Sequence, residues 1–196
     1  MHAVPALLVT GIHSAAKTVF LRALLAARPP QQHWALLDND GGNPASEFAG
    51  PQVAVAAAGG CACCTGQVAL QTGVVRLLRE SRPQRLVIVA AAAAEPAALA
   101  RTLQQQDLAR ALHMTAHFCM ADSGMLTAGE SPARELWLRQ IRAADHVVVD
   151  GDAAITELQG LAERIININA AVVLALSSAS GTPRAPASGT QSRTSG

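Results

Sequence analysis

The stretch GIHSAAKT, Gly11 to Thr18, decides how the rest of the chain is read. It has the length, the first glycine and the closing Lys-Thr of a phosphate-binding loop, G-x-x-x-x-G-K-[ST], with Ala16 in place of the second glycine. In such a loop consecutive backbone N–H groups point into one concavity, the lysine reaches the outer phosphates and the hydroxyl holds magnesium. Gly11, Ser14, Ala15, Ala16, Lys17 and Thr18 are therefore the candidate nucleotide-binding residues. Ala15 and Ala16 depart from the motif. If Ala16 has to adopt a left-handed backbone, the strain is on the order of 1–2 kcal/mol, which weakens the loop without abolishing it. The alternative is an ordinary strand-to-helix connection with an accidental Lys-Thr.

The immediate context meets the motif's requirement. ALLVT (Ala6 to Thr10) is a short buried strand running into the loop, and KTVFLRALLAA after it carries apolar residues at helical spacing. Of the 15 basic residues 14 are arginine, so Lys17 is the only lysine, placed where a compact ammonium meets phosphates.

Further out, apolar runs alternate with helical patterns. HWALLD (33–38), QVAVAA (52–57), RLVIVAA (85–91), MTAHFCMAD (114–122), HVVVD (146–150) and AAVVLAL (170–176) read as strands. TGQVALQTGVVRLLRES, PAALARTLQQQDLARAL opened by Glu95-Pro96, SPARELWLRQIRAA and AAITELQGLAERI read as helices. This alternation predicts a three-layer α/β fold, a mainly parallel sheet flanked by helices on both faces. Residues 1–176 are expected to form one domain, and the Ser-, Gly- and Pro-rich 177–196 a disordered tail.

Composition narrows the partners. Half of the 196 residues are hydrophobic, 15% are charged and the net charge is +1 with the charges scattered, which argues against a nucleic-acid surface. The longest apolar run, Leu86 to Ala94, is too short to span a bilayer, and a cytoplasmic protein without a membrane partner is expected. Three of the four cysteines lie in GGCACC, as Cys61, Cys63 and Cys64. Three thiolates within four residues can converge on one borderline cation such as zinc, with a fourth position left for a carboxylate, histidine or water. The alternative is small residues packing the start of a helix, since free cysteine buries well. Cys119 reads as core. His13, His113 and His117 read as surface or satisfied core groups, and Asp122 either as a strand-end acid at the edge where such sheets bind ligands or as a simple turn cap.

Together, a phosphate loop after the first strand, GGCACC opening a helix, and a buried strand ending in a Glu-Pro helix start resemble the CobW family of P-loop GTPases, whose members act as cobalt or zinc metallochaperones. The resemblance runs from about Val4 to about Leu176. It implies metal binding by Cys61, Cys63 and Cys64, and binding of nucleotide phosphate and magnesium by Lys17 and Thr18.

The departures carry as much information. The family usually has G-x-x-G-S-G-K-T at the loop, and E-T-T-G after the central strand, where an acidic residue and a switch glycine serve magnesium and the γ-phosphate. This chain has Ala91 to Ala94 there, before Glu95-Pro96. The guanine-reading N-K-x-D is replaced by Asp150-Gly151-Asp152-Ala153, and the family's N-E-x-G is blurred to DNDG, Asp38 to Gly41. Phosphoryl transfer depends on positioning and charge neutralisation, so neither rapid GTP hydrolysis nor GTP selectivity is expected. The leading expectation is a metallochaperone-type protein that binds zinc or cobalt, with a degenerate GTP and magnesium site and possible client metalloproteins. The alternatives are an active GTPase in which Asp38, Asp40 or Glu95 assists magnesium, and a non-enzymatic pseudo-GTPase scaffold.

Overall fold

The computed structural model describes residues 3–41, 45–58, 65–121, 124, 125, 129–150, 165 and 173–177. Seven strands are present among them: β1 (Val4–Thr10), β2 (Trp34–Asp38), β3 (Val53–Ala57), β4 (Arg85–Val89), β5 (Leu112–Ala121), β6 (His146–Asp150) and β7 (Val173–Ser177). They form one sheet in the order β3-β2-β4-β1-β5-β6-β7, and every pairing is parallel. The helices are α1 (Ser14–Ala26), α2 (Thr65–Ser81), α3 (Pro96–Leu103), α4 (Gln106–Ala111) and α5 (Pro132–Ala143), with a short 3-10 turn at Ala45–Phe48.

The central strands β1, β2 and β4 are apolar on both faces because both faces are covered. Along β1, Ala6 and Leu8 enter one cluster with Leu70, Val74 and Leu77 of α2 and Leu99 of α3. Leu7 and Val9, pointing the other way as a strand's two-residue period requires, pack with Leu21 and Phe20 of α1. A third cluster joins Trp137 and Ile141 of α5 to Cys119, Val147 and Val149. The three-layer expectation therefore holds, with helices on both sides of the sheet.

Two elements differ from the sequence reading. The helix expected from Pro96 through Leu112 is broken at Gln104 and Gln105, where Gln105 turns extended (φ −60°, ψ 144°). Leu99 and Leu103 are one turn apart and both buried, but an unbroken helix would carry Leu108, nine residues after Leu99, to the opposite side. The break returns Leu108 and Leu112 to the same cluster as Leu99. Strand β5 also starts earlier than expected, at Leu112, and carries an extra residue against β1: Ala6 pairs with Met114 and Leu7 with Ala116. Such a bulge leaves one residue unpaired, here Thr115, whose hydroxyl donates to the Ala6 carbonyl at 3.0 Å.

The helix expected around 153–165 and the 178–196 segment lie outside the described residues, apart from Ile165, which is helical and buried. No helix among the described residues is long and apolar enough to cross a membrane.

Candidate phosphate site at the ends of the central strands

In parallel α/β sheets ligands bind beyond the carboxyl ends of the strands. Three adjacent strands, β2, β4 and β1, deliver Asp38–Gly41, Ala90–Glu95 and Thr10–Thr18 to that edge.

Gly11 leaves β1 at φ +131°, a conformation side chains rarely adopt. A Cβ there would lie 2.8 Å from Met120 Cβ and 2.9 Å from the Met120 carbonyl oxygen. The motif's first glycine is thus required by contact with β5 as well as by any ligand. The chain then turns into α1 after only Ile12 and His13, and His13 takes the N-cap position with extended backbone, its side chain making no cap hydrogen bond to the helix. Ser14, Ala15, Ala16, Lys17 and Thr18 form the first turns of α1. The Lys17 N–H points back to the His13 carbonyl at 3.4 Å, and the Thr18 hydroxyl donates to the Ser14 carbonyl at 3.0 Å. The expectation that Ala16 strains a left-handed position is corrected: it is helical, and Arg82 is the only non-glycine with positive φ among the described residues. Alanines at 15 and 16 extend the helix backward into what is loop in the motif, because alanine favours helix over all other residues.

Lys17 is the centre of the site. Its side chain is 0% exposed, and its ammonium donates to Asp40 Oδ1 at 2.8 Å and to the Ala90 carbonyl at 3.0 Å. Burial pulls its pKa down, and the Asp40 hydrogen bond and charge oppose that shift. Asp40, 1% exposed, uses the same Oδ1 to accept the Ala92 N–H at 3.0 Å. Its Oδ2 is buried without a protein partner. Asp38 orients Asp40 by accepting its N–H at 2.8 Å, and burial raises the Asp38 pKa. Between these two acids, Asn39 donates across to the carbonyl of Ala58, at the end of β3, at 2.7 Å, and the Ala58 N–H returns to the Asp38 carbonyl at 2.7 Å. The end of β3, just before the cysteine cluster, is therefore tied to the acidic end of β2.

The alanine stretch after β4 is held from the other side by α5. Gln140 is fully buried and donates to the carbonyls of Ala92 (3.2 Å) and Ala94 (3.0 Å), while Arg139 pairs with Glu95 at 3.0 Å. Gln140 escaped the sequence reading, since a glutamine inside an amphipathic helix carries no motif. The Asp40–Lys17 pair left a partial signal: a lone lysine needs an anion, and DNDG follows the next strand.

Cys61, Cys63, Cys64 and Asp122 lie outside the described residues, and among the described residues no three His, Cys, Asp or Glu side chains group as a metal set. Cys119 is core as expected, its thiol pushed up to about 12 by burial. His113 is exposed. His117 is satisfied: Nδ1 donates to the Ala143 carbonyl at 2.8 Å, Nε2 accepts from the Thr10 hydroxyl at 2.8 Å, and its backbone N–H donates to Asp145 at 2.8 Å. Burial lowers its pKa from 6.5, so folding favours the neutral ring. That contribution is complete above pH 6.5 and is lost as pH falls below it, because the unfolded chain then binds the extra proton. Urea midpoints between pH 5 and 8 are expected to show this fall in the wild type, with a shallower slope in His117→Gln; equal slopes would exclude His117 as its source.

A parallel sheet whose first strand ends in a left-handed glycine, followed at its carboxyl edge by a helix bearing Lys17 and Thr18, defines a P-loop α/β protein. The chain matches the CobW/HypB/UreG nucleotide-binding domain over residues 5–173, and it belongs to that family. It is 32% identical over 155 residues to the zinc chaperone YeiR of Escherichia coli K12, an alignment covering 73% of this chain and 45% of that protein. The chain thus spans about half the length of this curated relative. Among solved structures, the Zn(II)-bound YjiA GTPase from E. coli superposes with a TM-score of 0.65 at 18% identity, over 89% of this chain and 57% of that one. The hydrogenase maturation factor HypB from Archaeoglobus fulgidus does so with a TM-score of 0.55 at 12% identity, over 92% and 84%. Both show the same fold.

Proposed function

We propose that this chain is a zinc-binding protein of metallochaperone type, with a nucleotide site that is held closed and turns GTP over slowly if at all. The observation that carries the second half is the state of Lys17. The ammonium that should neutralise phosphate is already neutralised by Asp40, and the Lys17 backbone N–H is used on the His13 carbonyl at the start of α1. Where the family has an acidic residue after the central strand, this chain has alanines, so the charge that places magnesium is missing from β4. Lys17, Thr18 and the first turn of α1 remain the donors that would hold a phosphate group and magnesium.

The metal half is supported by the zinc chaperone relative and by the chemistry of Cys61, Cys63 and Cys64. Three thiolates hold zinc, or cobalt, and leave one position for exchange. A protein of this kind delivers its ion to a client metalloprotein, and a cytoplasmic location suits thiols kept reduced. Purified wild type is expected to bind one zinc, and a Cys61→Ser, Cys63→Ser, Cys64→Ser variant is expected to lose tight binding. Unchanged zinc stoichiometry in that variant would sink the metal reading.

One observation favours a second reading, an active GTPase. Asp40 reaches from β2 to the Ala92 N–H, so a carboxylate does stand beside the β4 end. Magnesium-dependent GTP turnover that disappears in Lys17→Ala would establish it.

A further inference from the structure

Asp40 bonds to two things at once. Its Oδ1 takes the Lys17 ammonium at 2.8 Å and the Ala92 N–H at 3.0 Å, in a place where both charged side chains are sealed from solvent. Resting on the reading of a closed nucleotide site, we propose that Asp40 is an internal stand-in for phosphate, a latch that a nucleotide must displace and whose displacement loosens the Ala90–Glu95 segment at Ala92.

The chemistry of the two partners makes the contacts exclusive. Lys17 is the only lysine of the chain, and a phosphate oxygen seated on α1 draws on the same ammonium protons that Asp40 now accepts. Asp40 and a phosphate group are both anions, so they repel when both crowd one ammonium in a buried site. Asp40 is not free to slide along β2 to make room. Its backbone N–H is fixed to Asp38, and Asn39 beside it is fixed to Val89 and Ala58. Relief comes by swinging the carboxylate off Lys17, which also takes it off the Ala92 N–H.

The Ala90–Glu95 segment is built to register that loss. With no side chain beyond Cβ from Ala90 to Ala94, it is held by bonds to its backbone: the Ala90 N–H donates to the Val9 carbonyl and the Ala90 carbonyl accepts from Lys17, while further along Asp40 accepts the Ala92 N–H and Gln140 donates to the Ala92 and Ala94 carbonyls. Removing Asp40 leaves Ala90 tied to Val9 but Ala92 held only from α5, by Gln140, so a signal at Lys17 passes to the β4–α3 connection and to α5 through one carboxylate. A binding site whose competent form is populated one time in ten shows about tenfold weaker apparent affinity. The latch is such a tax on nucleotide affinity.

The test titrates GTP with magnesium into full-length wild type, Asp40→Asn and Lys17→Ala by calorimetry, and follows the Ala92 amide by hydrogen exchange. Asp40→Asn is expected to bind GTP about tenfold tighter than wild type, and Lys17→Ala to lose binding. Saturating GTP is expected to speed exchange at Ala92 in the wild type. Equal or weaker GTP binding by Asp40→Asn, including no binding in either protein, overturns the latch. If Asp40→Asn does not fold, the wild-type exchange arm decides alone: unchanged protection of Ala92 at the highest GTP concentration overturns it. Zinc stoichiometry of the triple serine variant is read separately, so failure of the metal reading and failure of the latch give different results.

Discussion

Asp40→Ala is expected to lower the unfolding free energy by about 3–5 kcal/mol, the usual effect of removing one partner from a buried ion pair. For a chain of this size about 2–4 °C of melting temperature accompanies each kcal/mol, so thermal unfolding should show the loss plainly. The reason is what remains. Lys17 is 0% exposed, and without Asp40 it keeps only the Ala90 carbonyl as hydrogen-bond acceptor and the weaker pull of the Asp38 charge, so a desolvated ammonium loses its contact counter-charge. Its escape is deprotonation. Burial already sets the folded pKa of Lys17 below 10.5, and the unfolded chain binds the proton more tightly. Stability of Asp40→Ala should therefore rise with pH towards 10.5, since the unfolded state holds more protons throughout that window. The companion variant, Lys17→Met with Asp40→Leu, removes both charges at once and is expected to recover most of the loss, because well-packed apolar replacements of a buried pair are often neutral or better. A loss below about 1 kcal/mol in Asp40→Ala, the range of exposed pairs, would mean that water reaches the pair and that the site is open in solution.

This pair also marks how far the sequence could be read. The layers were legible because hydrophobic period and length specify them: each strand apolar on both faces announces helices on both sides, and seven such runs appear as seven parallel strands. The seat of the phosphate loop was legible too, since Gly11 and Lys17 bracket the step from β1 to α1. What period cannot supply is the partner of a side chain across strands. Asp40 lies 23 residues from Lys17, and the Ala92 N–H it accepts lies 52 residues away. Neither distance is written in a local pattern, and backbone groups carry no residue signature at all. The α3–α4 break was hidden for a similar reason. Propensity favours one helix through Gln104–Gln106, and only the need to return Leu108 to the α2 face breaks it.

Ala16→Gly and Gly11→Ala separate the two glycine positions of the motif, and they are expected to act in the same direction for unrelated reasons. Gly11→Ala forces a Cβ to within 2.8 Å of Met120 Cβ and 2.9 Å of its carbonyl oxygen at φ +131°. A glycine-only backbone region costs about 1–3 kcal/mol for other residues, and overpacking adds about 1–3 kcal/mol. A loss of about 2–6 kcal/mol in urea denaturation is therefore expected, whether or not nucleotide is present. Ala16→Gly restores the second glycine of the motif and should nevertheless destabilise, by about 1 kcal/mol, since a helical alanine is exchanged for the more flexible residue. Ala16 also packs against the core cluster that contains Leu7, Val9 and Leu21, so its methyl is lost from the core edge. The glycine alone should not reopen the loop, because Asp40 still holds Lys17. Tighter GTP binding in Ala16→Gly with Asp40 intact would show that the length of α1, and not the carboxylate, closes the site; binding that improves only when Asp40→Asn is added would assign the closure to the ion pair.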